Sequence, residues 1–300
     1  MANCRGGGRL RTEKEMLDLI MKKAIEDDRI RAVAMDGSRA SINAVHDRYS
    51  DFDIVYYVTD IREFTKDKSW INYFGDILIL QCPMDWYDHP YDYNSHENFA
   101  YLMQFADGNR IDLTLVDIRN IDRESKNNEP RIILLNKDNY PELTPVENEC
   151  AFYIQVPALM EFDNTCNEFR WLSLLVAKGL CREELYYAKY CYDVLLMDMF
   201  MKMLNWKIGI LHGFNVTTGK FSKYLKRYLS ENEMKRLHGI FPNGKYEDIW
   251  DKLFIIYDYF HELEQQVAEH FAFGCKETEA KKVRDFLIKR RDEAQYGKVY

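Results

Sequence analysis

Three short stretches in the first half of the chain carry side chains whose types and spacing could do chemistry: Gly37-Ser38, Asp51-Phe52-Asp53 and Asp112. Successive side chains of a strand point to opposite faces, so Asp51 and Asp53 point the same way while Phe52 turns to the core. Two carboxylates that close repel unless a cation lies between them, and hard Mg²⁺ takes carboxylate oxygens together with substrate phosphates. Asp112, from a neighbouring strand, completes a cradle for two Mg²⁺ ions, which can activate a hydroxyl and stabilise leaving phosphate oxygens; the chemistry implied is nucleotidyl transfer. Gly37 lets the backbone approach a phosphate, and Ser38 with the amides of a following helix start can hydrogen-bond it. Arg39, Ser50 and Arg110 are further candidates for the nucleotide. Arg110 sits two residues before Asp112 and faces the same side, where it can meet a triphosphate or form a plain ion pair with Asp51 or Asp112. An isolated Asp-x-Asp is usually a turn, a cap or a solvated strand end. Strand-like sequence on both sides and the third aspartate favour the site.

Those residues need a sheet to hold them. Apolar Met16, Leu17, Ile20, Met21, Ala24 and Ile25 recur at helical spacing over 13–28. Val33-Ala34-Met35 reads as a short strand that stops at Asp36-Gly37-Ser38, where a helix can start. Four more strands are predicted at 53–59, 76–80, 99–105 and 110–116, the last two an antiparallel hairpin about Asp107-Gly108-Asn109. After Pro145 the texture turns to long helical patterns, about 147–163, 165–179, 182–206, 219–229, 246–272 and 277–294. The expectation is an α+β protein: a mixed-sheet domain over 11–145, then a helical bundle domain over 146–300. Residues 1–10, with three consecutive glycines, read as leader or disordered sequence.

A 300-residue chain that is 47% hydrophobic, with 7 Pro and 14 Gly, can bury a real core and is neither collagen-like nor mostly disordered. Its net charge of −8 argues against a protein that grips a nucleic-acid backbone. No apolar run is long enough to span a membrane and no secretory signal is visible, so a cytoplasmic protein is expected. The 7 cysteines show no zinc spacing and read as reduced thiols. The acidity is uneven: between Ser69 and Asn109 there is no Lys or Arg, while Asp76, Asp85, Asp88, Asp92, Glu97 and Asp107 fall there. That stretch would attract a cation.

Gly37-Ser38, Asp51-Phe52-Asp53 and Asp112 match the pattern of the nucleotidyltransferase superfamily that includes DNA polymerase beta. More narrowly, RTEKEMLDLI, IRAVAMDGSRA, DFDIVYYVTDI, NRIDLTLVD and NEFRW…VAKGL…EELYYAKY resemble the aminoglycoside 6-adenylyltransferases that modify streptomycin, from about Arg11 into the final helices. The resemblance implies a polymerase-beta-like sheet domain, a C-terminal helical domain, a cleft between them, ATP as AMP donor and the 6-hydroxyl of streptomycin as acceptor. Carried over, Asp51 and Asp53 resemble the paired metal ligands, Asp112 the third carboxylate as ligand or general base, and Gly37-Ser38 the phosphate-binding turn.

With that resemblance the acidic gap acquires a use. Streptomycin carries two guanidino groups and an amine, and MDWYDHPYDYNSHENF supplies carboxylates and aromatic faces, with Asp85, Trp86, Asp88 and Asp92 the candidate contacts; the alternative is a solvated acidic loop. In the second half, Lys178 and Lys189 are candidates to reach the ATP phosphates, although helix lysines are usually solvated. Tyr186, Tyr187, Tyr190 and Tyr192 could stack on a base or sugar or simply pack helices. Lys220, Lys223, Lys226 and Arg227 read as a solvated basic helical face. Two rival functions stay open: transfer to an RNA or protein hydroxyl, which the acidity disfavours for RNA, and a nucleotide-binding regulator without catalysis.

Overall fold

The computed structural model describes residues 9–85, 98–124, 129–147 and 149–296. The chain divides into two compact units, Met1–Ala151 and Phe152–Tyr300. The architecture is α+β.

The first unit begins with helix α1 (Glu13–Glu26), opened by a capping box in which Thr12 and Glu15 satisfy each other's backbone N–H groups. There follow β1 (Ile30–Asp36), the short helix α2 (Gly37–Ala40), β2 (Phe52–Val58), the short helix α3 (Arg62–Thr65), β3 (Ile77–Gln81), β4 (Asn98–Phe105), β5 (Arg110–Asp117), the short helix α4 (Ile121–Glu124) and β6 (Ile132–Asn136). The strands form one sheet in the order β3-β4-β5-β2-β1-β6. Only β2 and β5 pair in parallel; the other neighbours are antiparallel. The predicted hairpin β4–β5 is present. The sixth strand was not foreseen: it is short, lies at the sheet edge and buries little of its surface, so it lacks the alternation that marks the others.

Register places the chemistry. Asp36 lies opposite Asp53 across β1–β2, and Asp53 opposite Asp112 across β2–β5, so three aspartates stand side by side on three adjacent strands. Their neighbours Phe52, Ile54, Tyr56 and Val58 are buried with Met16, Ile20 and Ala24 of α1 on one face. The Tyr56 hydroxyl donates to the Ile20 carbonyl at 2.7 Å, fixing α1 on the sheet. On the other face Ala32, Ala34, Val55, Tyr57 and Val116 gather with Ile121 and Leu143. Each fully buried aliphatic side chain contributes roughly 1.5–3 kcal/mol, so the row of acids rests on a well-anchored base.

The second unit holds α5 (Leu159–Cys181), α6 (Leu185–Tyr190), a π-helical turn (Cys191–Leu196), α7 (Met197–His212), α8 (Glu231–His238), α9 (Tyr246–Phe271) and α10 (Glu277–Tyr296). Its core is centred on α5, α7 and α9, where Phe169 and Phe260 stack at 3.7 Å. Three expectations are corrected. The patterns at 147–163 and 165–179 are one helix starting at Leu159, because Pro157 disfavours helical geometry in the residue before it and Ala158 caps in an extended conformation. The stretch 219–229 is not a helix but two 3₁₀ turns, broken by left-handed Phe221 and Ser222, so its lysines share no helical face. And α8 was missed, although Ser230 and Glu233 form the capping box that announces it. Among the described residues no helix is long and apolar enough to cross a membrane, and Cys82, Cys150, Cys166, Cys181, Cys191 and Cys275 are unbridged.

Candidate active site

The end of β1 and the start of β2 build the site. Gly37 takes a left-handed φ of +69°, which turns the chain sharply out of the sheet into α2. Space demands glycine as well: a Cβ there would lie 2.0 Å from an oxygen of Asp53. Asp53 therefore leans directly on the turn that the sequence pattern marked for phosphate. Asp36 precedes that turn without capping it, because Arg131 takes both its oxygens at 2.7 Å each.

The loop between α2 and β2 is tied from two sides. The Arg39 guanidinium is buried, lies 3.9 Å from the Phe52 ring centre, donates to the backbone carbonyls of Ser50 and Asp51 at 2.9 and 3.1 Å, and pairs with Glu13 at 3.0 Å. Arg39 thus holds the strand end in place, with its donors turned to the protein rather than offered to a phosphate. Glu149, also buried, contacts the Ser41 hydroxyl and accepts from Asn43 at 3.1 Å. The Ser50 hydroxyl is spent inside the same loop, donating to the Val45 carbonyl and accepting from the Asp47 amide, each at 3.1 Å.

Asp51, Asp53 and Asp112 come together with Arg110. The guanidinium donates through Nε and Nη2 to the two oxygens of Asp112 at 2.7 and 2.8 Å, and its Nε lies 3.7 Å from Asp51. The ion pair that the sequence left open for Arg110 is formed. Burial, together with the charges of Asp112, Asp51 and Asp36, pushes the Asp53 carboxyl up to about 6, with Arg110 pulling the other way. Such a cluster has more negative charge than its own cations neutralise. Among the described residues no group of three or more His, Cys, Asp or Glu side chains is arranged to enclose a metal ion; the cation seated among these carboxylates is Arg110. The donor set nevertheless fits a hard divalent ion, being all carboxylate oxygen and electrostatically starved of positive charge, with the guanidinium as its stand-in.

Asp85 is exposed and paired with Lys68, a cation from just outside the gap. Asp107 secures the hairpin turn, pairing with Arg11. Trp86, Asp88 and Asp92 lie outside the described residues. Lys178 is exposed on α5, and Lys189 is engaged by Asp193 at 2.8 Å and the Pro242 carbonyl at 3.1 Å. Tyr192 is core, donating to the Ile240 carbonyl at 2.7 Å, while Tyr186 and Tyr190 are exposed. Sequence reading passed over Asp36 and Arg131. Asp36 had a signal, as the last residue of a strand that abuts Gly37; Arg131, distant in sequence, had none.

A model of the family described as streptomycin adenylyltransferase matches residues 10–290. An aminoglycoside 6-adenylyltransferase of Bacillus subtilis (strain 168) is 34% identical over 88% of this chain and 93% of its own length. One from Campylobacter jejuni is 36% identical over 96% of this chain and 98% of its own. A crystal structure of an aminoglycoside 6-adenyltransferase from Bacillus subtilis covers 94% of this chain and 99% of that one at 30% identity, with a TM-score of 0.47. The family match begins ahead of α1 and runs into α10, taking in the aspartate row of the sheet and the helices alike; the chain belongs to the streptomycin adenylyltransferase family and is a nucleotidyltransferase.

Proposed function

We propose that the protein transfers AMP from ATP to the 6-hydroxyl of streptomycin, releasing pyrophosphate and inactivating the drug in the cytosol. The observation that carries this reading is the in-register row Asp36, Asp53 and Asp112, flanked by Asp51 and abutting the Gly37 turn. Kinship with proteins named for aminoglycoside 6-adenylylation supports the acceptor class. Asp51, Asp53 and Asp112 would hold Mg²⁺, which when bound neutralises phosphate charge and makes a hydroxyl easier to deprotonate. The Gly37-Ser38 turn brings backbone close to the phosphates, since nothing larger than hydrogen stands on the Gly37 Cα. Arg39 keeps the backbone of Ser50 and Asp51 fixed, so that the paired carboxylates do not drift from the attacking oxygen. Asp112 takes up metal or the acceptor proton. Lys178 and Lys189 are proposed for the nucleotide, Lys189 by exchanging Asp193 for phosphate. The 69–109 stretch is proposed to collect the cationic drug through Asp85, Trp86, Asp88 and Asp92, with a guanidino group taking the place of Lys68 on Asp85.

Pyrophosphate release from ATP and Mg²⁺, measured with and without a panel of aminoglycosides, tests the reading. Release that depends on streptomycin is the expected result. Release with a protein or RNA acceptor alone, or none with any acceptor, would overturn it.

A further inference from the structure

Three arginines surround the carboxylate cluster, and they are held very differently. The side chains of Arg39 and Arg131 are each 5% exposed, the first bonded to backbone carbonyls and the second to both oxygens of Asp36. Arg110 is 40% exposed, and it pairs with acids of the cluster itself, Asp112 and Asp51. Both oxygens of Asp112 face the Arg110 fork. The fork takes one lone pair on each Asp112 oxygen and holds a positive charge against the cluster, so Arg110 and a divalent ion compete for the same carboxylate.

We infer that Arg110 is an exchangeable counter-cation, which neutralises the carboxylates while the site waits and releases Asp112 when a divalent ion takes its place. The inference rests on the proposed use of the cluster for divalent ions. Its half-exposed side chain gives Arg110 somewhere to go. Its position two residues before Asp112 on β5 keeps it on the same face after release, where its freed fork can meet the phosphates that arrive with the ion. Arg39 and Arg131 remain in place and preserve the strand ends during the exchange. The nucleotide-free protein should accordingly bind divalent ions weakly, because every ion competes with a bidentate ion pair and its charge.

Binding of Mn²⁺ alone, without nucleotide, is the direct test, measured by calorimetry on the full chain. Arg110→Met should bind Mn²⁺ about tenfold more tightly than the wild type, since the competitor is gone and its charge no longer opposes the ion. Arg110→Lys, which keeps the charge but loses the fork, should fall between them and serves if the methionine variant does not fold. On the unmodified protein, saturating Mn²⁺ should speed the reaction of Arg110 with phenylglyoxal, read by peptide mass spectrometry, because release uncovers the guanidinium. Equal or weaker Mn²⁺ binding in both variants, or phenylglyoxal reactivity that does not change with Mn²⁺, would overturn the exchange. The proposed reaction fails separately: tighter Mn²⁺ binding in the variants without streptomycin-dependent pyrophosphate release in the wild type leaves the exchange standing and removes the function.

Discussion

In the sheet unit, Asp36, Asp51, Asp53 and Asp112 share Arg110 and Arg131; in the helical unit, Arg170 and Glu264 meet with their side chains 4% and 2% exposed. The second pair is close to balanced: the same guanidinium nitrogen donates to both Glu264 oxygens at 2.7 Å, Glu279 lies 3.4 Å from another, and His261 lies 3.3 Å from Glu264. It joins α5, α9 and α10 and is shut away from solvent, which suits a fastening. The first cluster is acid-rich, open on one side and set at strand ends, and it keeps one carboxyl raised to about 6. Unbalanced charge at a rigid edge is a liability for folding that a ligand can relieve. The difference teaches where to expect function: neutralising a carboxylate should cost activity in the sheet unit and stability in the helical one.

The sharpest break would come at Asp53. Asp53→Asn should lower AMP transfer by ~10³-fold or more, since metal-centred stabilisation is worth several kcal/mol. Its unfolding midpoint at neutral pH should not fall, because the substitution removes a charge that burial, Asp112, Asp51 and Asp36 all oppose. A variant with wild-type turnover would dissolve the site. At Glu264 the pattern should invert. Glu264→Ala leaves Arg170 in the core without its nearest carboxylate and should cost about 3–5 kcal/mol in urea unfolding. A loss below about 1 kcal/mol would show that the pair fastens nothing.

The two regions were also unequally legible. Aspartates at the strand ends follow from alternation alone, because strand period and the Asp51-Phe52-Asp53 triplet fix which faces they share, and the β4–β5 hairpin announces itself through Asp107-Gly108-Asn109. The partner cations did not follow. Arg39 reads as a phosphate ligand until its buried contacts with Glu13 and two backbone carbonyls are seen, and those depend on how α1 crosses the sheet. Arg131 reaches Asp36 across 95 residues, from just before a strand that periodicity does not reveal. In the helical unit the pattern located most of the apolar stripes but misplaced breaks. Pro157 and the left-handed Phe221 and Ser222 override periodicity locally, and Arg170–Glu264, between α5 and α9, has no spacing rule to expose it.

Gly37 sharpens the comparison at the backbone level. Gly37→Ala places a methyl 2.0 Å from Asp53 Oδ2 and asks an L-residue to hold φ +69°. The conformational part alone should cost on the order of 1–2 kcal/mol, and displacement of Asp53 should lower transfer by roughly a hundredfold. Gly209 in α7 supplies the control, since a Cβ there would meet the Phe214 ring at 2.4 Å. Gly209→Ala should destabilise by about 1–3 kcal/mol through overpacking while the folded fraction keeps its turnover. Equal effects of the two substitutions on turnover per folded molecule would erase the distinction between a site glycine and a packing glycine.

The smallest effect separates a balanced pair at the β4–β5 turn from the acid-rich cluster at the strand ends. Asp107 is partly buried, which alone would raise its carboxyl, but hydrogen bonds from Arg11 and from the backbone and side chain of Asn109 more than offset that and hold it at about 2. The folded-state value lies below the ordinary 3.8, so the stabilisation is fully present above about pH 4 and is lost as pH falls toward 2. Asp107→Asn should therefore cost about 1 kcal/mol at pH 7, and the gap between wild type and variant should narrow through pH 3 and close near pH 2. The check is a pair of urea unfolding series across that window. A gap that stays constant from pH 7 to 2 would mean that the carboxylate charge is not what fastens Arg11 to the turn, and that shape and neutral hydrogen bonds hold the hairpin instead.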